Sequence, residues 1–320
     1  MGPEHRGGTG LAGTVRGGFQ NNWRWIVYRI LYRIALICLV SSAAAGDTGT
    51  ADMLVLSSPG FPALMMMGPA GRPLAAGPES GFGNPALILP GFTAAGGRWN
   101  LQTTAVSVAG GFSASPELKL SAGLTYLGRG GILRRDETGA VTGEYSYSTG
   151  NFFAGASHRL NHWLTAGAAA GIGWENIDSG SGAGITAAAG LAADVGEAGA
   201  AGVSVTGLGT APSWNGVSKA MPVEISAGAS WRLNSLLTCF AGSGLGLSTS
   251  SSHGGGLIIN VPRLMVSAGY RLVPGEDELT GFFAGVQYTY ESGETYIIEA
   301  AVSQRDRLEW PVLAGISVRL

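Results

Sequence analysis

The feature that most limits how this chain can fold is a strict alternation of apolar and small or polar residues. It recurs in runs of nine. In one run Leu118, Leu120, Ala122, Leu124 and Tyr126 alternate with Lys119, Ser121, Gly123 and Thr125. The same pattern spans residues 223–231, 264–272, 282–290 and 312–320. A period of two places each set on one face of a β-strand. About 9–11 residues is also what a tilted strand needs to cross a bilayer. Further strands are predicted at residues 87–95, 103–111, 141–147, 151–160, 163–174, 182–194, 199–208, 236–247 and 294–304, giving 12–14 in all. Turn chemistry reads at residues 128–131, 136–139, 248–256 and 274–277.

Composition decides between a soluble sandwich and a membrane barrel. Only 12% of the 320 residues are charged, while 45% are hydrophobic and 54 are glycine. A soluble sandwich carries Lys, Glu and Thr on its outer face, and ordinary domains are about 25% charged. Here the second phase is Ser and Gly. Aromatic residues gather at run ends (Tyr126, Trp163, Trp174, Trp231, Tyr270, Tyr290 and Trp310), where a transmembrane barrel places its girdles. Backbone groups in lipid must all be paired, which requires the sheet to close. The expected fold is all-β: a transmembrane antiparallel barrel of 12–14 strands, with outer-membrane lipid as the solvent of its exterior. A formal net charge of −2 gives no reason to expect nucleic acid.

Residues 1–45 read as a signal peptide with an extended N-terminal lead. Arg24, Arg29 and Arg33 precede the apolar run of residues 34–40, and small residues follow through Ala45. The expected location is therefore the outer membrane of a Gram-negative-type bacterium. Residues 46–95 read as an irregular segment and possible lumenal plug. Seven of the 14 prolines fall between Pro59 and Pro90. The barrel is expected over residues 96–320.

The irregular segment ends in Asn84-Pro85-Ala86, a step that resembles outer-membrane families related to the FadL fatty-acid transporters. Asp136, Gly139 and Gly143 look like the PorV/PorQ branch of that group, as do Asp194-Val195-Gly196 and the proline-led strand from Pro222 through Gly228. The resemblance implies a FadL-like barrel of about 14 strands with its N-terminal segment in the lumen. It also implies an accessory or shuttle role in type IX-like secretion, with secreted cargo or secretion-machinery subunits as partners. A FadL-like channel for hydrophobic compounds and a structural outer-membrane protein are the alternatives.

No catalytic site, metal site or cofactor is expected. His158 and His162 flank a turn, and a metal needs three or four ligands. Serines are too many for a Ser/His pairing to mean anything without geometry. Cys239 follows the apolar phase and reads as a wall residue. Lys119, Glu224, Arg232, Arg271 and Arg319 fall on the polar phase, with Asp194, and are expected to face the lumen. An Arg or Lys facing mid-bilayer lipid costs about 2–4 kcal/mol.

Overall fold

The computed structural model describes residues 54–58, 60–99, 102–214, 217–218, 220–276, 279–304 and 310–320. The signal-peptide reading lies outside these residues. Among the described residues sixteen strands follow one another: β1 (Gly91–Arg98), β2 (Thr104–Ser113), β3 (Leu118–Arg135), β4 (Val141–Arg159), β5 (Leu164–Ile177), β6 (Gly180–Val195), β7 (Gly199–Gly209), β8 (Ser213–Trp214), β9 (Val217–Ser218), β10 (Glu224–Arg232), β11 (Leu237–Gly246), β12 (Ser252–Val261), β13 (Leu264–Leu272), β14 (Gly281–Ser292), β15 (Glu294–Ser303) and β16 (Val312–Arg319). Strands β8 and β9 form a separate two-stranded ribbon. The other 14 form one closed antiparallel barrel in which β1 pairs with β16, from Gly91 opposite Arg319 to Arg98 opposite Val312. Closure leaves no strand edge unpaired. No helix among the described residues is long and apolar enough to cross a membrane.

The two ends of the barrel differ. At one, the strands join through short turns such as residues 233–236, 262–263 and Gly293, and Gly91 and Leu320 lie at the same end. At the other, β7 and β10 are joined through the ribbon of β8 and β9, and β3 and β4 run past their neighbours as a projecting hairpin.

The apolar phase points outward. Phe92, Ile172, Ile185, Leu257, Phe282 and Ile316 are all about half exposed on the outer wall. Ser107, Thr125, Thr149, Asn151, Ser226 and Ser267 of the opposite phase are buried inside. They join wall strands to one another: Ser317 donates to Thr93 at 2.8 Å, and Thr186 to Asn151 at 3.0 Å. Trp231 and Tyr290 lie toward the short-turn end, whereas Tyr126, Trp174, Tyr270 and Trp310 lie toward the other.

Four local readings change. Residues 141–147 and 151–160 are one strand, because Thr149 and Gly150 simply continue β4. Residues 128–131 are no turn: β3 runs through them with a bulge between Arg129 and Ile132, where Gly131 adopts φ +65°. Residues 252–256 belong to β12 rather than to a loop. His253 and three glycines give that half-strand no apolar phase, so the ladder to Leu257–Ala268 and its neighbours sets the conformation. The barrel also begins at Gly91, inside the stretch assigned to the irregular segment. The strand predicted at residues 87–95 is realised as β1, which pairs on both sides with β2 and β16 and so belongs to the wall.

Candidate functional site

The interior is filled by residues 54–58 and 60–88. They form a chain of single helical turns, of which Pro62–Met65, Gly68–Ala70, Pro78–Phe82 and Pro85–Leu87 each carry a proline in the first positions. Proline suits these positions because the first N–H groups of a helix have no internal acceptor. Repeated prolines then keep each turn short.

Small inward residues let this plug approach the wall. A Cβ on Gly202 would stand 1.9 Å from the Pro73 carbonyl oxygen, and one on Gly242 would stand 2.4 Å from Ala70 Cα. Gly228 faces Pro73 and Leu74 in the same way. Apolar clusters complete the seat. Phe82 stacks edge-on to Phe153 at 4.3 Å, Phe61 lies 5.6 Å from Phe82, and Ala70 packs with Phe240, Ile258 and Phe283. The barrel therefore has a core, made between plug and wall.

Asn84 is the polar latch. Fully buried, it donates to the carbonyls of Pro73 (3.1 Å) and Leu191 (3.0 Å), and its Oδ1 accepts from Ala86 N at 3.1 Å. One amide thus ties two plug turns to β6. Gly190 and Gly202 leave room for it, and Gly167 does so for Pro85 and Ala86.

Two of the cavities that flank the plug are lined by charged residues. Toward the long-loop end, one of about 100 Å³ is lined by Arg72, Glu224, Arg271, Ser252, Ser303 and Trp99, with Leu64 and Met65. Arg72 stands 3.7 Å from the Glu224 carboxylate and donates to Thr206 Oγ1 (3.3 Å) and Leu56 O (2.6 Å). Ser226 also donates to Glu224 at 2.5 Å. Arg271 donates through Nε to Leu279 O at 2.8 Å. Toward the short-turn end, a cavity of about 170 Å³ is lined by Met66, Met67, Leu74, Met265 and Ile297, with Glu79, Glu299 and Arg319.

The singled-out residues are therefore dispersed. Glu224 and Arg271 meet in one cavity and Arg319 reaches the other. Lys119 lies on the inward phase near the short-turn end. Asp194, Gly196 and Arg232 line an open, polar recess at the short-turn rim, with His162 and Trp163. Asp136 and Gly139 form the tip of the β3–β4 hairpin, far from both cavities, and Gly143 follows in β4 with φ +157°. Asp136 accepts from the Thr138 hydroxyl at 2.7 Å and from the N–H groups of Thr138 and Ala140. The Thr138 hydroxyl bond, then the backbone ones, hold this carboxyl below the usual aspartate range. Pro222 leads into β10, and its carbonyl lies against the bulge at Gly207. Arg72, Glu79 and Glu299 were not singled out from sequence. The inward phase of β15 would have exposed Glu299, whereas the plug has no period to follow.

Other chemistry is sparse. Ser243 Oγ and His253 Nδ1 are 2.6 Å apart on the outward phase of β11 and β12. His253 Nε2 is buried without a hydrogen-bond partner among the described residues, so the pair lacks an orienting carboxylate. Cys239 lies on the same outward phase. Among the described residues no three His, Cys, Asp or Glu side chains converge as metal ligands.

No family model and no curated protein matches the chain. Solved structures do. The toluene transporter TodX of Pseudomonas putida is 12% identical, with a TM-score of 0.59 over 86% of this chain and 98% of its own. The fold is FadL-like. The monoaromatic hydrocarbon channel CymD matches with a TM-score of 0.59 at 11% identity, over 80% of this chain and 97% of its own. A FadL homologue of Pseudomonas aeruginosa matches with 0.50 at 12% identity, over 86% and 98%. The barrel thus shares the fold of these solved structures.

Proposed function

We propose that this protein is a non-enzymatic outer-membrane channel for small hydrophobic compounds. The observation that carries this reading is the plugged lumen. Narrow cavities walled by Met, Leu, Ile and Ala lie between the plug and the barrel wall, where a porin would have open water. The fold is shared with a toluene transporter and a hydrocarbon channel, which supports the same substrate class here. On this reading the exposed Phe, Leu and Ile of the outer wall meet membrane lipid, the short-turn end faces the periplasm, and the chain is exported by a cleaved signal peptide. The PorV/PorQ reading of Asp136, Asp194 and Pro222 draws no support from the matched structures, which gives a role in type IX-like secretion the weaker claim. Displacement of a fluorescent apolar dye from the purified full-length protein tests the proposal. Toluene should displace the dye and a monosaccharide should not. Equal failure of both would overturn it.

A further inference from the structure

The short-turn cavity contains an unusual pair of acids. Glu79, from the plug turn Pro78–Phe82, and Glu299, from β15, are 3% and 4% exposed. Each keeps one carboxylate oxygen (Glu79 Oε2 and Glu299 Oε1) buried without a hydrogen-bond partner among the described residues. The two groups interact electrostatically with each other and with Arg319. Arg319 sits exposed on the wall and forms no ion pair within 4 Å with either, among the described residues. A buried carboxylate with an open acceptor is costly, and two facing one cavity more so. Something with donors and positive charge would relieve both.

The rest of the cavity restricts what that can be. Its volume of about 170 Å³ is close to the roughly 150 Å³ of an engineered cavity that holds benzene. Met66, Met67 and Met265 line it, and thioethers adapt their shape and make favourable contacts with aromatic rings. Leu74 and Ile297 complete an apolar wall, so a bare hydrated cation would leave most of the lining unused. Gln287 is the remaining polar wall residue, and Ser317 is occupied in donating to Thr93.

We propose that this cavity binds a single-ring apolar amine, its ammonium between Glu79 and Glu299 and its ring among the methionines. An ammonium brings three donors and no acceptor, which suits two open carboxylate oxygens. A neutral hydrocarbon fills the same space but leaves the acids unsatisfied, and a carboxylate brings further acceptors where donors are wanted. The inference rests on the channel reading and narrows its substrate class.

Calorimetric titration of the full-length protein in detergent with benzylamine, toluene and benzoate tests it. Benzylamine should bind at least about tenfold more tightly than toluene, as expected for hydrogen bonds to charged groups, and benzoate should bind most weakly. Glu299→Gln should bring benzylamine to within about threefold of toluene while leaving toluene unchanged. Glu79→Gln should do the same from the plug side, and heat-modifiable migration on gels confirms that each variant is folded. Benzylamine binding no tighter than toluene overturns the proposal, as does a preference that survives both substitutions. Toluene binding without amine preference leaves the channel reading standing. Binding of neither ring compound removes both.

Discussion

The two charged cavities beside the plug are made of similar parts in opposite proportion. The long-loop cavity sets two guanidiniums, Arg72 and Arg271, against one carboxylate, Glu224. The short-turn cavity sets two carboxylates, Glu79 and Glu299, against one guanidinium, Arg319. Their carboxylates differ in satisfaction as well, although Arg271 Nη2 also has no hydrogen-bond partner among the described residues. Arg72 and Glu224 are held by each other, by Thr206, by Ser226 and by a plug carbonyl. The two short-turn acids keep open acceptors. The first cavity adds a second tie to the Asn84 latch that fixes the plug, and the second is a receptacle. A molecule moving along the lumen would pass from a cationic neighbourhood to an anionic one.

The largest effect should come from removing the division between them. Gly202→Val forces side-chain atoms into the Pro73 carbonyl, and adding Gly242→Val does the same at Ala70. The double variant should lose plug docking. Its ionic conductance in planar bilayers should rise by about an order of magnitude toward that of an open lumen. An unchanged conductance would mean that the plug does not seal the barrel.

Breaking the latch should come next. Asn84→Ala leaves the Pro73 and Leu191 carbonyls and the Ala86 N–H without this partner. The expected cost is about 2–4 kcal/mol of plug stability, read by hydrogen exchange over residues 60–88 with the wall strands unaffected. Arg72→Ala should loosen the same segment somewhat less. Removing one partner of a buried pair costs about 3–5 kcal/mol, but this pair retains some solvent contact. A double-mutant cycle with Glu224→Gln should then show coupling, whereas additive effects would deny the ion pair a role.

The smallest effect should lie outside the comparison, at the hairpin tip. The Asp136 carboxyl is held below its ordinary range, so its contribution is present at neutral pH. It is lost as pH falls from the ordinary aspartate range through the depressed value. Amide protection of Thr138 and Ala140 should fade over that window while the barrel stays intact. Asp136→Asn should remove the pH dependence.

The wall was legible in the sequence because its physics is periodic. Leu118 to Tyr126 and Phe282 to Tyr290 declare their faces without tertiary help. Where glycine erased the contrast, as in His253 to Gly256, only pairing with β11 and β13 makes a strand. One strand missed there and one strand divided at Thr149 offset each other, so the expected total of 14 agrees with the closed barrel. The inward charges followed from the same phase. The plug residues did not, because single proline-led turns have no period, and Arg72 and Glu79 acquire meaning only opposite Glu224 and Glu299. Asn84-Pro85-Ala86 stood out through resemblance, and its packing against Gly167, Gly190 and Gly202 now gives that step a physical reason.

The central claim is that small hydrophobic molecules enter through this plugged barrel. The most direct measurement is the initial uptake rate of labelled toluene by cells whose outer membrane lacks other channels of this type, with and without the protein. Uptake of a labelled sugar is followed in parallel. The account predicts faster toluene uptake with sugar uptake unchanged. Folded barrel in the membrane with no gain in toluene uptake, or with an equal gain for the sugar, would contradict it.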